Sequence, residues 1–197
     1  NSSRFIKTTI YHVICDSSQI ENEGLYMLSP KPLMQGKKGL IMGVANERSI
    51  AWGIASSASA QGAELAFTYQ GEALLKRITP LAEEIGSDII IECDVTDTAS
   101  LDKTFEILRE KWGKLDFVVH AIAYSDKEEL KGKYFETTKD NFTKTMDISC
   151  YSFTAVCQRA VPLMESGGSI ITLTYYGAEK VIPHYNVMGV AKAALEA

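Results

Sequence analysis

The chain has 197 residues, of which 46% are hydrophobic and 23% charged, and its formal net charge at pH 7 is -5. This composition excludes collagen-like, low-complexity and disordered chains. The negative net charge offers no basic surface that would bind nucleic acid or an anionic membrane. No apolar run approaches the ~20 residues that span a bilayer, so no membrane partner is expected. The length suits one domain, and no Gly/Ser-rich or Pro-rich linker divides it.

Both ends of the chain differ from its middle. Residues 1–33 show no sustained helical or strand period, so we expect a disordered or read-through extension before a domain over residues 34–197. An Arg-rich amphipathic helix and an apolar segment with a cleavage site are both missing, which disfavours a targeting peptide. The sequence stops at Ala197 inside a helical run without a Gly or Asn cap, which predicts a domain incomplete at its carboxyl end.

The cysteines predict reduced thiols and not a metal site. Cys15, Cys93, Cys150 and Cys157 form no CxxC pair, and the three histidines do not complete a metal-ligand spacing. Cys150 and Cys157 lie one heptad apart on a predicted helix, where buried thiols behave as small apolar side chains. Reduced thiols are typical of the cytoplasm.

In chain order, short apolar runs rich in β-branched residues alternate with longer amphipathic stretches. The runs predict five buried strands at 39–43, 64–69, 88–95, 116–123 and 169–175. The stretches predict helices at 49–61, 72–86, 98–112 and 139–165, and a last helix from about 184. This alternation predicts an α/β fold with a doubly wound parallel sheet in strand order 3-2-1-4-5 and helices on both faces, hence three α/β/α layers.

In such a sheet a ligand binds beyond the carboxyl ends of the strands, between the first and fourth. The first strand is followed by Gly43 and a turn into a helix at Ser49 and Ile50. A glycine there lets the backbone approach a pyrophosphate, and the helix start supplies free N–H groups. The usual G-x-G-x-x-G pattern is absent, so a tight turn with Ser49 as an N-cap remains an open alternative.

The ends of the second and third strands indicate which dinucleotide would bind. Gln70 places an uncharged amide where an adenosine ribose would lie, and no Lys or Arg follows until Lys76, which favours NAD over NADP. Asp94 offers a carboxylate to an adenine amino group, with Val95 as an apolar wall. A polar loop residue at Gln70 and a local turn cap at Asp94 are the alternatives.

Tyr175, Tyr185 and Lys192 are the candidate catalytic residues. Tyr185 and Lys192 are seven residues apart in a helical run, so they lie within about 20° of one face. A phenol there can donate to a developing oxyanion, while the cation anchors a cofactor ribose and makes the phenol a better acid. Many reductases of this fold place Tyr four residues before Lys, where this chain has Met188. An aromatic packing residue and a solvated lysine remain the alternative.

Six ordered stretches carry a resemblance that runs from about Met34 to Ala197: GLIMGVANERSIAWGIA, GAELAFTYQ, CDV, VHAIAYSDKEELKGKY, DISCYSF and SIITLTYYGAEKVIPHYNVMGVAKAALEA. They closely resemble the bacterial enoyl-acyl carrier protein reductases, a divergent family of short-chain dehydrogenases/reductases. The resemblance implies a Rossmann-type fold, NADH as cofactor, and reduction of the C2–C3 double bond of a trans-2-enoyl thioester on acyl carrier protein during fatty acid biosynthesis. It also implies a homotetramer.

The resemblance further implies a role for each matching residue. The cofactor would contact Gly43, Ser49 and Ile50 at its phosphates, Gln70 at the adenosine ribose, Asp94 and Val95 at the adenine, Ile122 after the fourth strand, and Lys192 at the nicotinamide ribose. Ser125 would contact the acyl substrate. Tyr185 would stabilise the enolate, and Tyr175 is the second active-site tyrosine.

Two other functions compete with this one. A keto-reductase of the same superfamily is disfavoured by the failed four-residue Tyr-to-Lys spacing and by Thr172 where a serine donor is sought. A catalytically silent dinucleotide-binding module or fragment is the second rival, because members of the family continue past Ala197. The segments that would complete the acyl pocket and the tetramer are then missing, and the last strand is expected to leave an unpaired edge.

Overall fold

A computed structural model describes Ile10–Tyr11 and residues 32–197. Most of the expected extension at 1–33, including Cys15, lies outside the described residues. The strands are β1 (Ile10–Tyr11), β2 (Lys38–Met42), β3 (Glu64–Tyr69), β4 (Ile89–Glu92), β5 (Phe117–His120) and β6 (Ser169–Thr172). The α-helices are α1 (Ile50–Ala60), α2 (Glu72–Glu84), α3 (Thr98–Trp112), α4 (Lys139–Met146), α5 (Ser152–Ala160) and α6 (Asn186–Glu196).

One sheet joins the strands in the order β1-β6-β5-β2-β3-β4. Strands β2 to β6 pair in parallel, and they are the five predicted strands in the predicted order. Along β2, Leu40 and Met42 pack with α3 and α5, whereas Ile41 packs with α1 and α2. Because successive side chains point to opposite faces, helices cover both sides of the sheet. The prediction of a doubly wound, three-layer α/β/α fold is confirmed.

The edge of β6 differs from the expectation. Strand β1 pairs with it in the antiparallel direction, with Ile10 opposite Ile171 and Tyr11 opposite Ile170. The sequence shows no strand pattern in this region, and the edge of the last strand was expected to be unpaired. Two residues are too short to carry a detectable hydrophobic alternation, so the pattern alone could not reveal this pairing.

The predicted helix at 139–165 is interrupted. Helix α4 passes into a π-helical turn, Asp147–Tyr151, before α5 and a short 3₁₀ turn at Val161–Leu163. A π turn adds one residue to the helical repeat, which apolar spacing does not show. The last helix begins at Asn186 and not at about 184, because the φ of His184 is +60°, which is outside the helical region.

Among the described helices, none combines the length and apolar character that a bilayer crossing requires. Within the same residues, no three His, Cys, Asp or Glu side chains gather as metal ligands would. Cys93 is buried and Cys150 and Cys157 are half-buried, and all three are free thiols.

Candidate active site

A cavity of about 570 Å³ opens where the strand order reverses between β2 and β5. Its walls come from the segments that follow β2, β3, β4 and β5, which is where ligands bind in doubly wound sheets. The volume falls in the range of small-molecule sites. Five of the predicted cofactor residues line this first cavity: Gly43, Gln70, Asp94, Val95 and Ile122.

Gly43 lines the first cavity directly after β2. Its φ is +96°, and a Cβ at this position would collide with the backbone oxygen of Ala121. Glycine is therefore required twice, once by the left-handed backbone and once by the close approach of the turns after β2 and β5. The residue makes a tight turn and also lines the cavity, so the two interpretations of the sequence describe the same geometry.

Ser49 holds the turn that leads from β2 into α1. Its Oγ accepts hydrogen bonds from the N–H groups of Ala45 and Asn46, both at 3.0 Å. Ser49 occupies the N-cap position of α1, as the alternative interpretation expected. Its side chain, however, makes no capping hydrogen bond. Ile50 is the first helical residue and is 44% exposed. Ala45 lines the first cavity, whereas Ser49 and Ile50 are not among its lining residues.

Asp94 presents an ionised carboxylate to the first cavity. Its Oδ1 accepts hydrogen bonds from the N–H of Thr96 at 2.9 Å and from the Thr96 hydroxyl at 2.7 Å. Although burial acts to raise the pKa of Asp94, hydrogen bonds from Thr96 and from the Gln70 amide hold that pKa below its ordinary value. Asp94 thus caps its own turn and also connects the ends of β3 and β4 at the cavity wall.

Lys192, in α6, is a buried cation next to the end of β6. Only 5% of the residue is exposed, and its Nζ donates a hydrogen bond to the backbone oxygen of Leu173 at 2.7 Å. Burial lowers the pKa of Lys192 to about 8, although the nearby Cys150 and Glu196 act in the opposite direction. The alternative of a solvated lysine is therefore wrong.

Tyr185 and Tyr175 form an edge-to-face pair, with ring centroids 4.9 Å apart and an interplanar angle of 67°. The Tyr185 ring also lies against Gly177, where a Cβ would come within 2.6 Å of its Cε1 atom. Burial and the neighbouring Tyr175 raise the pKa of Tyr185 to about 12. The expectation of a more acidic phenol is not met, and the hydroxyl stays protonated as a hydrogen-bond donor at neutral pH.

Tyr185 lines a second cavity, of about 400 Å³, together with Gly177, Asn186 and Gly189. Ser125, the predicted substrate contact, lies at neither cavity and is bound to α4. Its Oγ accepts hydrogen bonds from the Thr145 hydroxyl at 2.9 Å and from Asn141 Nδ2 at 3.2 Å. Contact of Ser125 with an acyl chain stays a prediction.

Two residues near the site, Ser149 and His120, were not among the candidates predicted from the sequence. In the π turn, Ser149 Oγ accepts from the Tyr124 N–H at 2.9 Å and donates to the Tyr124 backbone oxygen at 3.0 Å. Its spacing of four residues from Thr145, and of eight from Asn141, is a helical period of polar residues that could have indicated a buried polar stripe.

The other is His120, at the end of β5. Its ring nitrogens lie 3.1 Å from the Thr172 hydroxyl and 2.8 Å from the Ser152 hydroxyl. Burial, with a smaller effect of Lys192, lowers the pKa of His120 to about 3, so the ring is neutral. A single histidine in an apolar run gives no sequence signal of these partners.

Comparisons with known proteins identify the family. A family model described as enoyl-(acyl carrier protein) reductase matches residues 43–197. Enoyl-[acyl-carrier-protein] reductase [NADH] 1 of Rhizobium meliloti is 66% identical over 171 residues, which are 87% of this chain and 63% of that protein. The NADH reductase of Rickettsia felis is 58% identical over 165 residues, or 84% of this chain and 64% of that protein. The chain thus spans less than two thirds of the length of these relatives.

Solved structures agree with this assignment. The enoyl-(acyl-carrier-protein) reductase of Anaplasma phagocytophilum in complex with NAD has a TM-score of 0.82 and 60% identity, covering 85% of this chain and 64% of that one. The enoyl-acyl carrier protein reductase of Bacillus cereus, solved with NADP+ and indole naphthyridinone, has a TM-score of 0.82 and 46% identity. The match covers 83% of this chain and 65% of that one. Since the family match includes the glycine turn, the first cavity and both tyrosines, the chain belongs to the enoyl-(acyl carrier protein) reductase family.

Proposed function

We propose that the protein reduces the C2–C3 double bond of a trans-2-enoyl thioester carried by acyl carrier protein, with NADH as the reductant. The observation that carries the proposal is the arrangement that follows β6. There a protonated Tyr185 packs on Tyr175, and Lys192, seven residues later, is a buried cation. Relatives over most of this chain are named as NADH-dependent enoyl reductases, which supports the same reaction.

The residues around the first cavity fit a dinucleotide. The glycine turn at Gly43 brings bare backbone to the wall, where a pyrophosphate can approach closely. Asp94 and Gln70 present a carboxylate and an amide that suit an adenine amino group and ribose hydroxyls. We assign the remaining cofactor contacts to Ser49, Ile50, Val95 and Ile122, and the nicotinamide ribose to Lys192.

When bound, NADH supplies a hydride from C4 of the nicotinamide to C3 of the enoyl thioester. Negative charge then develops on the thioester oxygen, where the Tyr185 hydroxyl donates a hydrogen bond. A phenol with a pKa raised to about 12 gives such a bond without losing its proton at neutral pH. A proton from solvent water then reaches C2 and completes the saturated thioester. Tyr175 holds the ring of Tyr185 edge-on, and Ser125 is assigned to the acyl chain.

We also propose the domain bounds, the substrate carrier, the localisation and the oligomeric state of the enzyme. Residues 34–197 form the NAD-binding unit, acyl carrier protein delivers the substrate, and the active protein is a cytoplasmic homotetramer. The likeness to the enoyl reductases supports these points. A catalytically silent binding module is the rival, but it gives no reason to bury the ionisable Lys192 or to pack Tyr185 on Tyr175.

The direct test uses NADH that carries deuterium at the transferred position of C4. Protein expressed from the complete gene is incubated with crotonyl thioester, and the product is analysed by mass spectrometry and NMR. The proposal predicts a saturated thioester with one deuterium at C3. Binding of NADH without any saturated product supports the silent module, and deuterium at a carbinol carbon of an acetoacetyl substrate supports the keto-reductase.

A further inference from the structure

Asn186 connects the start of α6 to the loop that follows β5. Its Nδ2 donates hydrogen bonds to the backbone oxygens of Glu129 at 3.1 Å and Lys131 at 3.0 Å, with Gly132 at 3.5 Å. Asn186 is the residue directly after Tyr185 in the chain. The amide therefore links the backbone that carries the phenol to a segment more than fifty residues earlier.

The backbone on both sides of Tyr185 has an unusual conformation. His184 and Asn186 have φ values of +60° and +36°, and these are the two non-glycine residues with positive φ in the described part of the chain. Asparagine tolerates this region better than most residues. Such conformations persist only where surrounding contacts hold them, and they concentrate at functional sites.

The loop to which Asn186 binds is itself anchored. The Glu129 carboxylate accepts hydrogen bonds from the Thr138 N–H and hydroxyl, both at 2.9 Å, and from Asn141 Nδ2 at 3.2 Å. Asn141 is only 1% exposed and belongs to α4. The loop whose carbonyl groups receive the Asn186 amide is therefore anchored to α4 at Glu129, and the Asn186 amide connects the start of α6 to this anchored loop.

We propose that Asn186 is the positioning residue for Tyr185. Its amide fixes the left-handed turn into α6, and this turn sets the direction in which the phenol meets the thioester oxygen. The inference rests on the proposed function, because it assigns the role through the Tyr185 hydroxyl. The side chain must supply two donors from one nitrogen, which neither an aspartate of the same shape nor a glycine can do.

Three variants of the complete protein separate the amide from the backbone conformation. Asn186→Gly keeps the positive φ but removes both donors, and Asn186→Asp keeps the shape but sets a carboxylate against two carbonyl oxygens. Gln158→Glu, on the exposed face of α5, is the matched amide-to-acid control. With crotonyl thioester, both Asn186 variants should lose about 10- to 100-fold in kcat while the KM for NADH changes less than about twofold.

A double-mutant cycle tests whether the effect passes through Tyr185. In a Tyr185→Phe background, Asn186→Asp should slow turnover by less than about twofold further, because the group that it positions is gone. Hydrogen exchange gives a readout that does not depend on turnover. In Asn186→Asp, backbone amides at 129–132 and 185–188 should exchange faster than in the wild type, and those of β2 should not.

Several results would overturn the inference. They are wild-type kcat in Asn186→Asp, unchanged exchange at both segments, an equal kcat loss in Gln158→Glu, and a full additional loss in the Tyr185→Phe background. A wild-type protein that leaves crotonyl thioester unreduced is a different failure, because it contradicts the proposed function itself.

Discussion

The side-chain amine of Lys192 is buried, and burial disfavours its positively charged form. The folded pKa of about 8 lies below the ordinary 10.5, so the unfolded chain binds more protons between these values. Stability linked to Lys192 is therefore lowest below pH 8, where the buried amine is charged, and it rises between pH 8 and 10.5. A buried charge that lowers stability at neutral pH agrees with the cofactor role that we propose for Lys192.

Lys192→Met should separate these two roles. We expect NADH to bind more weakly, while the Tm of the ligand-free protein at neutral pH falls by no more than about 5 °C, because the buried charge is removed. Titration calorimetry and thermal unfolding measure the two effects. In the wild type, NADH affinity should also decline as the pH rises above about 8. Unchanged NADH affinity in the variant would remove Lys192 from the cofactor site.

Tyr185→Phe removes only the hydroxyl that we place at the thioester oxygen. Loss of one such donor is expected to lower kcat by about 100- to 1000-fold. Binding of NADH should be retained, because the ring and its packing on Tyr175 remain. Steady-state kinetics beside a direct NADH titration tests this, and comparable losses in turnover and in NADH affinity would contradict the role.

At the level of elements, the contact between the segment after β6 and α6 sets the site. Gly177 has room for no side chain, because a Cβ would overlap the Tyr185 ring. Gly177→Ala should therefore displace the phenol and lower kcat by at least about tenfold, while NADH still binds. Gly53→Ala, in α1, is the matched control, since nothing lies within 4 Å of its added methyl. Wild-type turnover in Gly177→Ala would show that the ring tolerates displacement.

His120 joins β5, β6 and α5 through two hydroxyl groups. Because burial lowers its pKa from 6.5 to about 3, the unfolded state binds the extra proton within this window. Stability from this group is complete above pH 6.5 and declines as the pH falls toward 3, with a slope that approaches ~1.4 kcal/mol per pH unit.

His120→Gln, which retains polar atoms but does not titrate, should weaken this dependence. Urea unfolding at several values below pH 6.5 measures the slope for both proteins. We expect a shallower decline in the variant, although its stability at neutral pH will be lower because the two hydroxyl contacts change. An equal slope in both proteins would mean that His120 does not account for the loss of stability in acid.

Features that depend on neighbouring residues in the chain could be predicted from the sequence, whereas features that depend on contacts between distant residues could not. Buried parallel strands such as β2 are continuous apolar runs, so the local pattern locates them, and the right-handed crossover rule gives their order. The π turn leaves no mark in apolar spacing. The partners of Asn186 and Ser125 are side chains and carbonyls on other elements, which no single-sequence pattern contains. The raised pKa of Tyr185 likewise depends on burial and on Tyr175, and not on the seven-residue spacing to Lys192.

At the scale of the whole molecule, the residues assigned to cofactor binding and to catalysis follow the carboxyl ends of the parallel strands. The reversal of strand order between β2 and β5 opens the cavity assigned to the dinucleotide. The segment after β6 carries the two tyrosines and leads into α6, which carries Lys192. Most residues assigned to cofactor binding therefore follow the first four parallel strands. The two tyrosines and Lys192, which is also assigned to the nicotinamide ribose, follow the fifth. This division explains why single changes at Tyr185 or Gly177 are expected to affect turnover more than NADH affinity.

The proposed function makes the protein an NADH-dependent enoyl thioester reductase. The most direct measurement is the loss of NADH absorbance with crotonyl thioester, and in parallel with acetoacetyl thioester, for the protein expressed from its complete gene. We expect oxidation of NADH with the enoyl substrate and none with the keto substrate. Silence with crotonyl thioester while NADH remains bound, or oxidation driven by acetoacetyl thioester, would contradict it.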